Sequence, residues 1–501
     1  MQLKQMLQNI RDIHVNSAFN PSLQVEGLSC DFNKISTNFL YAAFTGETVD
    51  SDNFGALLDG RQFIQQAINN GATVILTDER GLAEQINAPI ITISHENPNE
   101  VFAKIAANFF LNQQPTFMTC VTGTNGKTST VNLCRQLWHL LGKKAASIGN
   151  LGTIGGDGEL LWEAFDPFSV PETIALYEML YQLKSAGVDY VAIEATSHAL
   201  FEERLSGITP YIAAFTSFSR DHLDFHRTME NYFNVKMKLF TEVLQKPGFA
   251  VINADMTEFP LIHKKCLERE IHVISYGYNR NADIVLLRVE GDFSQQKLFL
   301  HFNNKDYHVT MPFPGEYQTK NLLCAIGILI GSGFAIEEIL PHVAQLQPIP
   351  GRMQKVCDYK GGQVFIDFAH TDDGLRVLLM NIEKMATGRV MVVFGAGGER
   401  DKGKRPLLGQ VAAKYADFIV ITDDDPRSED PALIRQEIVQ TCPGAHIIGD
   451  RREAISFALQ SMQKEDVLVV AGKGTNNGQF IGNQCIPFSD YYTIIELTHA
   501  K

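Results

Sequence analysis

Apolar runs of strand length, each followed by polar or glycine-rich residues, recur along most of the chain. Examples are YVAIEA (190–195), YIAAFTSF (211–218) and FAVINAD (249–255). Helical segments lie among them, such as TVNLCRQLWHLLG and the amphipathic MENYFNVKMKLF. Strands that alternate with helices predict an α/β fold with doubly wound parallel sheets.

At 501 residues the chain is too long for one core, and its length predicts about three domains. We place them at residues 1–98, 99–344 and 345–501. The first has a helix over 59–72 and the strand TVILTD, which predicts a small α/β domain. The second predicts a parallel sheet like that of P-loop ATPases, and the third a Rossmann-like sheet.

The strands predicted in the third region all end in polar or glycine-rich residues, as in QVFIDFAH, RVMVVFGAGG, FIVITDDDP, AHIIGD and DVLVVAGKG. Ligands of open α/β sheets bind beyond the carboxyl ends of the strands. We therefore expect these endings to line one cleft.

Composition narrows the class of protein. The net charge of −14 argues against nonspecific nucleic-acid binding. Eight scattered cysteines without a C-x-x-C pair favour reduced thiols and argue against a zinc site. Apolar runs such as VLVVAG are far too short for a membrane helix, and the N-terminus carries charges unlike a signal peptide. A cytoplasmic protein is expected.

The stretch TGTNGKTST resembles a phosphate-binding loop but is shorter than the Walker pattern, which would have glycine at Val121. Gly123 and Gly126 would let backbone N–H groups face phosphate at the start of a helix from about Thr128. Lys127 would reach the outer phosphates, and Thr128 would bind Mg²⁺. The stretch alone is also compatible with an ordinary strand–turn–helix junction.

Two further strand endings carry groups suited to Mg²⁺. Glu194 lies in IEATSHAL, and SRDHLDFH places Asp221, His222, Asp224 and His226 together. Carboxylates and neutral imidazole could ligate Mg²⁺ beside ATP phosphates. A solvated loop with helix-capping aspartates is the alternative interpretation.

In this order, TGTNGKTST, EATSHAL, SRDHLDFH and ENYFNVKMKLF resemble the ATP-dependent Mur ligases of peptidoglycan synthesis. PGRMQKV, IDFAHTDDGL, FGAGGERDKGKRPLLG, DDPRSEDP and AGKGTNNGQ are similar to one branch, the UDP-N-acetylmuramyl-tripeptide synthetases. There the D-glutamyl carboxylate of UDP-MurNAc-L-Ala-D-Glu attacks the γ-phosphate of ATP, and an amino acid's amine then takes the acyl phosphate. The resemblance implies a cytoplasmic monomer that uses ATP and Mg²⁺ and binds neither nucleic acid nor membrane.

The resemblance also implies roles for the three domains and for single residues. The first domain would bind the UDP-MurNAc-dipeptide, the second ATP, and the third the amino acid. The implied ATP site comprises Gly123, Thr124, Asn125, Gly126, Lys127, Thr128, Ser129, Asn321, Arg352, Asp367 and His370. The implied catalytic residues are Lys127, His222 and Lys236, and the implied Mg²⁺ ligands are Thr128, Glu194 and His222. Lys236 matches a carbamylated lysine, which would present a carboxylate where a cation would repel Mg²⁺.

For the nucleotide-sugar substrate the matching positions are Ser169, Val170, Thr196, Glu202 and Arg204, where the family usually has Thr, Thr, Ser, Gln and Arg. Val170 has thus lost a hydroxyl, and Arg204 best suits the D-Glu carboxylate. The chain also departs from the family at Asp31-Phe32-Asn33, usually Asp-Ser-Arg, and at Ser217, usually Asn.

The matching positions for the incoming amino acid are Arg400, Asp424, Asp425, Arg427, Gly472 and Asn476. Members that add meso-diaminopimelate usually have Asn and Glu at positions 425 and 476. Losing that Glu removes a partner for the distal ammonium, and Asp425 adds a carboxylate that welcomes only a cation. Both changes favour L-lysine, whereas Arg427, the expected clamp for a distal carboxylate, favours meso-diaminopimelate. Arg400 could bind the α-carboxylate of either.

Three rival functions remain open. A folylpolyglutamate-synthetase-like ligase would share the loop, but DGRQFIQQAINNGA together with DDPRSEDP argues against it. A P-loop kinase or switch would turn over ATP without an amino acid and leaves the third domain unexplained. A ligase-like protein that binds without catalysis is suggested by the substitutions at Phe32, Val170, Ser217 and Asn476.

Overall fold

The computed structural model describes residues 1–16, 18–49, 57–83, 90–163 and 171–499. Ser169 and Val170, singled out above, lie outside these ranges. Among the described residues, no helix has both the length and the apolar character needed to cross a bilayer. Three large sheets of five, eleven and six strands carry the helices, which confirms the predicted α/β class.

The first sheet belongs to the N-terminal region. Its elements are α1 (Leu3–Met6), β1 (His14–Val15), β2 (Gly27–Ser29), β3 (Phe39–Ala42), β4 (Thr45–Val49), β5 (Leu57–Asp59), α2 (Ile64–Asn69), β6 (Ala72–Thr77), α3 (Glu79–Leu82), β7 (Ile91–Ser94) and α4 (Pro98–Phe109). The strand order is β1-β7-β6-β3-β2, with only β1 antiparallel. The predicted helix over 59–72 is shorter, because Asp59 caps a 3-10 turn (Gly60–Phe63) before α2 begins.

The second sheet begins at the phosphate-loop motif. Its strands are β8 (Phe117–Thr122), β9 (Ala145–Gly149), β10 (Gly152–Gly155), β11 (Leu160–Trp162), β12 (Tyr190–Glu194), β13 (Ile212–Phe215), β14 (Phe249–Asn253), β15 (His272–Gly277), β16 (Ile284–Gly291), β17 (Gln296–Phe302) and β18 (Lys305–Met311). Its helices are α5 (Lys127–Leu140), α6 (Thr173–Ser185), α7 (Ser197–Phe201), α8 (Leu223–His226), α9 (Met229–Lys238), α10 (Phe259–Glu268), α11 (Glu316–Gly331) and α12 (Ile336–Ile339).

Helices cover both faces of the parallel part of this sheet. Along β13, Ala213 and Phe215 pack into one apolar core while Ala214 packs into the core on the opposite face. Such two-sided burial explains why the strands are continuous apolar runs. The sheet continues into an antiparallel meander, β16 to β18, that the sequence analysis did not predict.

The third sheet has the order β19-β20-β24-β21-β22-β23, with β19 antiparallel at one edge. Its elements are β19 (Gln354–Tyr359), β20 (Gly362–Asp367), α13 (Asp372–Met385), β21 (Val390–Phe394), α14 (Lys404–Tyr415), β22 (Phe418–Ile421), α15 (Pro431–Val439), β23 (His446–Ile447), α16 (Arg451–Ser461), β24 (Val467–Ala471), β25 (Gly478–Ile481), β26 (Gln484–Pro487) and α17 (Asp490–His499). All five apolar runs predicted here contain strands. We call the part of the chain around the second sheet, residues 99–344, the central lobe. The part around the third sheet, residues 345–501, is the C-terminal lobe.

Candidate active site

A single cleft of about 1530 Å³ lies where the strand ends of the central and C-terminal lobes face each other. Of the residues singled out from the sequence, those lining it are Thr124, Asn125, Gly126, Lys127, Thr128, Ser129, Glu194, Thr196, Glu202, Arg204, Ser217, Asp221, His222, Asp224, Lys236, Asn321, Arg352, Asp367, His370, Arg400, Asp424, Asp425, Arg427, Gly472 and Asn476. Gly123 and His226 lie next to the cleft residues in sequence but do not line it. Four of the five strand endings expected to share one cleft contribute to it, and AHIIGD does not.

The glycine loop has the backbone that phosphate binding requires. Gly123 and Gly126 adopt positive φ angles of 144° and 93°, in the left-handed region that favours glycine. Gly126 also packs closely, because a Cβ there would lie 2.4 Å from Asn321 Oδ1. Helix α5 begins at Lys127, so its positive dipole end points at the cleft. The loop can therefore cradle an anion.

Lys127 lies directly over this loop. Its Nζ donates hydrogen bonds to the carbonyl oxygens of Gly123 and Thr124, both at 2.9 Å. Burial lowers the pKa of Lys127, against the opposing influence of Glu194 and Asp221. The ammonium is thus held where a phosphate on the loop would meet it.

Two hydroxyl groups that follow β13 form hydrogen bonds with the backbone of the glycine loop. Thr216 Oγ1 donates to the Asn125 carbonyl at 2.6 Å, and Ser217 Oγ accepts from the Asn125 N–H at 2.9 Å. Ser217 is one of the positions at which the sequence departs from the family pattern described above. Its hydroxyl both accepts from and donates to the loop backbone, so this substitution leaves the loop supported.

The C-terminal lobe reaches across the cleft through Arg352. Its Nη2 donates to Thr128 Oγ1 at 3.1 Å, and its guanidinium lies 4.3 Å from the centre of the Phe368 ring. Asp367, by contrast, accepts hydrogen bonds from the Tyr317 hydroxyl and the Met353 N–H. Arg352 is therefore available to a phosphate, whereas Asp367 mainly organises the loops around it.

A buried carboxylate, Asp221, joins the two lobes. Its Oδ2 lies 3.2 Å from His222 Nε2 and 3.7 Å from His370 Nε2, and its Oδ1 lies 3.9 Å from Lys404 Nζ. Burial alone would raise the pKa of Asp221, but these neighbours hold it well below its usual value. Burial lowers the pKa of His222 despite Asp221, which favours the neutral imidazole that metal ligation requires.

The predicted magnesium ligands lie around the loop. Glu194 ends β12, and its Oε1 accepts a hydrogen bond from the Asn150 N–H at 2.8 Å. Among the described residues, His, Cys, Asp and Glu side chains form no group of three or more able to hold a metal. Mg²⁺ at ATP sites usually takes only one or two protein oxygens beside phosphate and water. The Glu194 carboxylate and Thr128 hydroxyl fit that pattern.

Lys236 of α9 is 1% exposed, and its Nζ donates to the Gly123 carbonyl at 2.9 Å. The same atom lies 4.5 Å from the centre of the Tyr232 ring. Burial, reinforced by Lys127, lowers the pKa of Lys236 well below its usual value. The side chain is thus a buried amine with weakened affinity for a proton.

Glu202 and Arg204 form a buried ion pair on the side of the cleft near β12. Arg204 Nη2 lies 2.6 Å from Glu202 Oε2, and Arg204 Nη1 donates to the Pro171 carbonyl at 3.4 Å. Thr196 caps α7 by accepting from the Ala199 N–H. Arg204, predicted to bind a substrate carboxylate, therefore already has an anionic partner. The sequence motif around Arg204 did not predict this ion pair.

Asp425 is neutralised by a residue that the sequence analysis did not single out. Lys473 Nζ lies 2.7 Å from Asp425 Oδ1 and 3.4 Å from Asp424 Oδ1. The same Asp425 oxygen accepts from the Phe480 N–H of the β25–β26 hairpin at 3.1 Å. Asp425 is therefore not a free carboxylate awaiting a cation.

Two guanidinium groups, Arg400 and Arg427, lie at this end of the cleft. Arg427 Nη1 donates to the Gly398 carbonyl at 2.8 Å, and Arg400 makes no hydrogen bond or ion pair with any other described residue. Burial, and then repulsion by Arg427, lower the pKa of Arg400. Two neighbouring guanidinium groups in a partly buried pocket favour binding of an anionic ligand.

Family comparisons agree with this geometry. Residues 121–329 match the Mur ligase middle domain, and residues 351–474 match the glutamate ligase domain of Mur ligases. The UDP-N-acetylmuramoyl-L-alanyl-D-glutamate–2,6-diaminopimelate ligase of Caulobacter vibrioides is 38% identical over 478 residues, covering 95% of this chain and 96% of that protein. The ligase of the same name from Zymomonas mobilis is 38% identical over 471 residues, covering 93% of each chain.

A solved structure extends the similarity to three dimensions. It is described as a UDP-N-acetylmuramoyl-L-alanyl-D-glutamate–2,6-diaminopimelate ligase and superposes with a TM-score of 0.67 at 28% identity. The match covers 100% of this chain and 99% of the other. The likeness thus includes all three sheets.

Proposed function

Because this chain belongs to the Mur ligase family, in its branch of UDP-N-acetylmuramyl-tripeptide synthetases, we propose that it joins 2,6-diaminopimelate to UDP-N-acetylmuramoyl-L-alanyl-D-glutamate. It is an ATP-dependent ligase. In the proposed reaction a substrate carboxylate oxygen bonds to the γ-phosphorus of ATP while the bond to ADP breaks. The amine, after losing a proton, then bonds to the acyl carbon, and phosphate leaves.

The observation that carries the proposal is the shared cleft. The phosphate loop with Lys127 lies on one wall, Arg352 crosses from the other, and Arg400 with Arg427 lies at the far end. Holding the reacting groups together removes most of the entropic barrier to their meeting. Lys127 and Arg352 would neutralise charge on the phosphoryl group as it transfers.

Mg²⁺ is part of this proposal. Glu194 and Thr128 would hold it together with phosphate oxygens, and His222 would face a second ion. The metal would supply charge neutralisation at the bridging phosphates.

We also propose that Lys236 is carbamylated. Its lowered pKa favours the free amine, which can attack CO₂ so that an N–C bond forms and a proton is released. The product carries a negative charge beside Lys127, in place of a second buried ammonium. Replacing repulsion by attraction between these neighbours favours the modified form.

The sequence favoured L-lysine as the third residue, and this preference is not confirmed. Asp425, one of the two changes that favoured lysine, is paired with Lys473. Arg400 and Arg427 present two guanidinium groups, which suit the two carboxylates of diaminopimelate better than the single carboxylate of lysine. The two 38%-identical relatives are named for diaminopimelate. These points together support diaminopimelate.

We propose roles for the other regions by the same reasoning. Residues 1–98 would bind the UDP-linked substrate, residues 99–344 ATP, and residues 345–501 the amino acid. Thr196, Glu202 and Arg204 would face the substrate peptide, with Arg204 shared between Glu202 and the substrate carboxylate.

A parallel assay tests the proposal. Purified protein, Mg·ATP and UDP-N-acetylmuramoyl-L-alanyl-D-glutamate are incubated with meso-diaminopimelate or L-lysine, and product is measured by mass spectrometry. Product with diaminopimelate is expected, and product with lysine alone would overturn the choice of amino acid. Phosphate release that needs neither amino acid would contradict the ligase assignment. As a control on specificity, Arg427→Lys should raise KM for diaminopimelate more than KM for the substrate L-lysine. A lysine side chain at position 427 cannot form the bidentate contact that arginine makes with a carboxylate.

A further inference from the structure

An ion pair outside the predicted site connects the two lobes. Arg220 follows β13 in the central lobe, and Asp401 follows β21 in the C-terminal lobe. Arg220 Nε donates to Asp401 Oδ2 at 2.7 Å, and Arg220 Nη2 donates to Asp401 Oδ1 at 2.8 Å. The Asp401 side chain is 7% exposed and that of Arg220 38%. Paired N–H···O bonds between these groups are geometrically specific and stronger than neutral hydrogen bonds.

A glycine gives the arginine room to approach. A Cβ at Gly403 would lie 2.3 Å from Arg220 Nη2 and 3.2 Å from Asp401 Oδ1. The φ of Gly403 is −63°, which any residue can adopt, so its backbone does not require glycine. The Gly403 N–H also donates to Asp401 Oδ1 at 3.0 Å and fixes the carboxylate facing Arg220.

The adjacent residue makes further contacts of the same kind. Asp221 lies 3.9 Å from Lys404 and 3.7 Å from His370, both in the C-terminal lobe. The central lobe therefore contacts residues 401–404 through two pairs of opposite charges, Arg220 with Asp401 and Asp221 with Lys404. Arg220–Asp401 is the pair with hydrogen-bonding geometry.

The loop that carries Asp401 is held within its own lobe by other contacts. The Gly398 N–H donates to the Asp425 carbonyl at 2.8 Å, and Arg427 donates to the Gly398 carbonyl at 2.8 Å. Arg220 is not needed to shape this loop. Its contact instead sets where the loop, and therefore Arg400, lies relative to the phosphate loop.

We infer that Arg220 and Asp401 form an interlobe latch, a pair of positioning residues that holds the C-terminal lobe closed so that Arg400 faces the phosphate loop. This role deepens the proposed function and rests on it, because Arg400 matters only if an amino acid binds there. Neither residue would touch substrate. Their effect is on how the two walls of the cleft meet.

Neutral, nearly isosteric variants test the latch. Arg220→Gln, Asp401→Asn and the double variant are compared with wild type, and Lys305→Ala is the control because Lys305–Glu337 is an exposed ion pair within the central lobe. We expect each latch variant to raise KM for the amino acid about tenfold, the scale of losing hydrogen bonds to a charged group. KM of the double variant should not exceed the higher KM of the two single variants, because either substitution alone already removes the contact. Lys305→Ala should behave as wild type.

Small-angle X-ray scattering with Mg·AMP-PNP measures closure without any amino acid. The latch variants should show a larger radius of gyration than wild type in the same buffer, measured below the midpoint of thermal unfolding of each variant. Gly403→Ala, which pushes Arg220 away, should expand the protein in the same way. Radii equal to wild type, or losses in the two single variants that add in the double, would overturn the latch. If wild type forms no product with any amino acid, the proposed function fails, while scattering still decides the latch.

Discussion

Gly126 immediately precedes helix α5, and an alanine at this position would change two things at once. Its φ of 93° lies in the left-handed region, where a side chain is unfavourable. The new Cβ would also lie 2.4 Å from Asn321 Oδ1 and 3.3 Å from Thr216 Cβ. Asn321 cannot simply turn aside, because its Nδ2 donates to Gln318 Oε1 at 3.0 Å within α11.

The expected loss follows from these two effects. A left-handed alanine costs about 1–2 kcal/mol, and breaking one hydrogen bond to make room costs about 1 kcal/mol. The loop relieves this strain by turning, so its N–H groups no longer converge on the phosphate. Rebuilding the binding geometry then costs about 2–3 kcal/mol, which weakens ATP binding on the order of 30- to 150-fold.

Gly142 provides the matched control. It also has a positive φ, 75°, but a Cβ there would meet no atom within 4 Å. Gly142→Ala should therefore lose stability through its backbone alone, with ATP binding unchanged. Calorimetry with Mg·ATP and denaturant unfolding of both variants separate the two effects. Wild-type ATP affinity in Gly126→Ala, or an equal loss in Gly142→Ala, would refute the reasoning.

Three other outcomes are expected. Lys236→Ala should lose activity and recover part of it when a short carboxylate such as formate is added; no recovery would count against carbamylation. Burial above all lowers the pKa of His226 from 6.5 to about 4, so the unfolded chain takes up a proton first and stability is lost as pH falls between those values, by up to about 3 kcal/mol. Denaturant titrations of wild type and His226→Gln should differ in this slope. Lys473→Met should destabilise the protein by about 3–5 kcal/mol, because buried Asp424 and half-buried Asp425 lose the cation beside them, and adding Asp425→Asn should restore part of that loss.

The parallel strands could be predicted from sequence because two-sided burial leaves an apolar run that few other structures produce. The glycine loop could be predicted because phosphate binding restricts which residues fit. The β16–β18 meander and the divided helix near Asp59 could not, since their patterns depend on partners or caps that a short window does not weigh.

Contacts between distant segments were the least predictable part of the site. Arg220 and Asp401 lie 181 residues apart, and each taken alone is an ordinary charged loop residue. Glu202 was predicted to contact the substrate, yet it forms an ion pair with Arg204. The resemblance to the family had implied that each residue binds the substrate separately. A motif gives the type of side chain near a ligand but not the charges that fold against it.

Amino-acid specificity shows why such pairings decide function. In the sequence, Asp425 adds a carboxylate beside Asp424 where we propose that the third amino acid binds, which favours a ligand with a lone distal ammonium. Lys473 lies within 3.4 Å of both and cancels one of their negative charges. One negative charge remains, and the guanidinium groups of Arg400 and Arg427 add two positive charges. The sum of these charges in the pocket is therefore positive. A ligand with a single carboxylate would leave one half-buried guanidinium group without an anionic partner, at a cost in affinity that a dicarboxylate avoids.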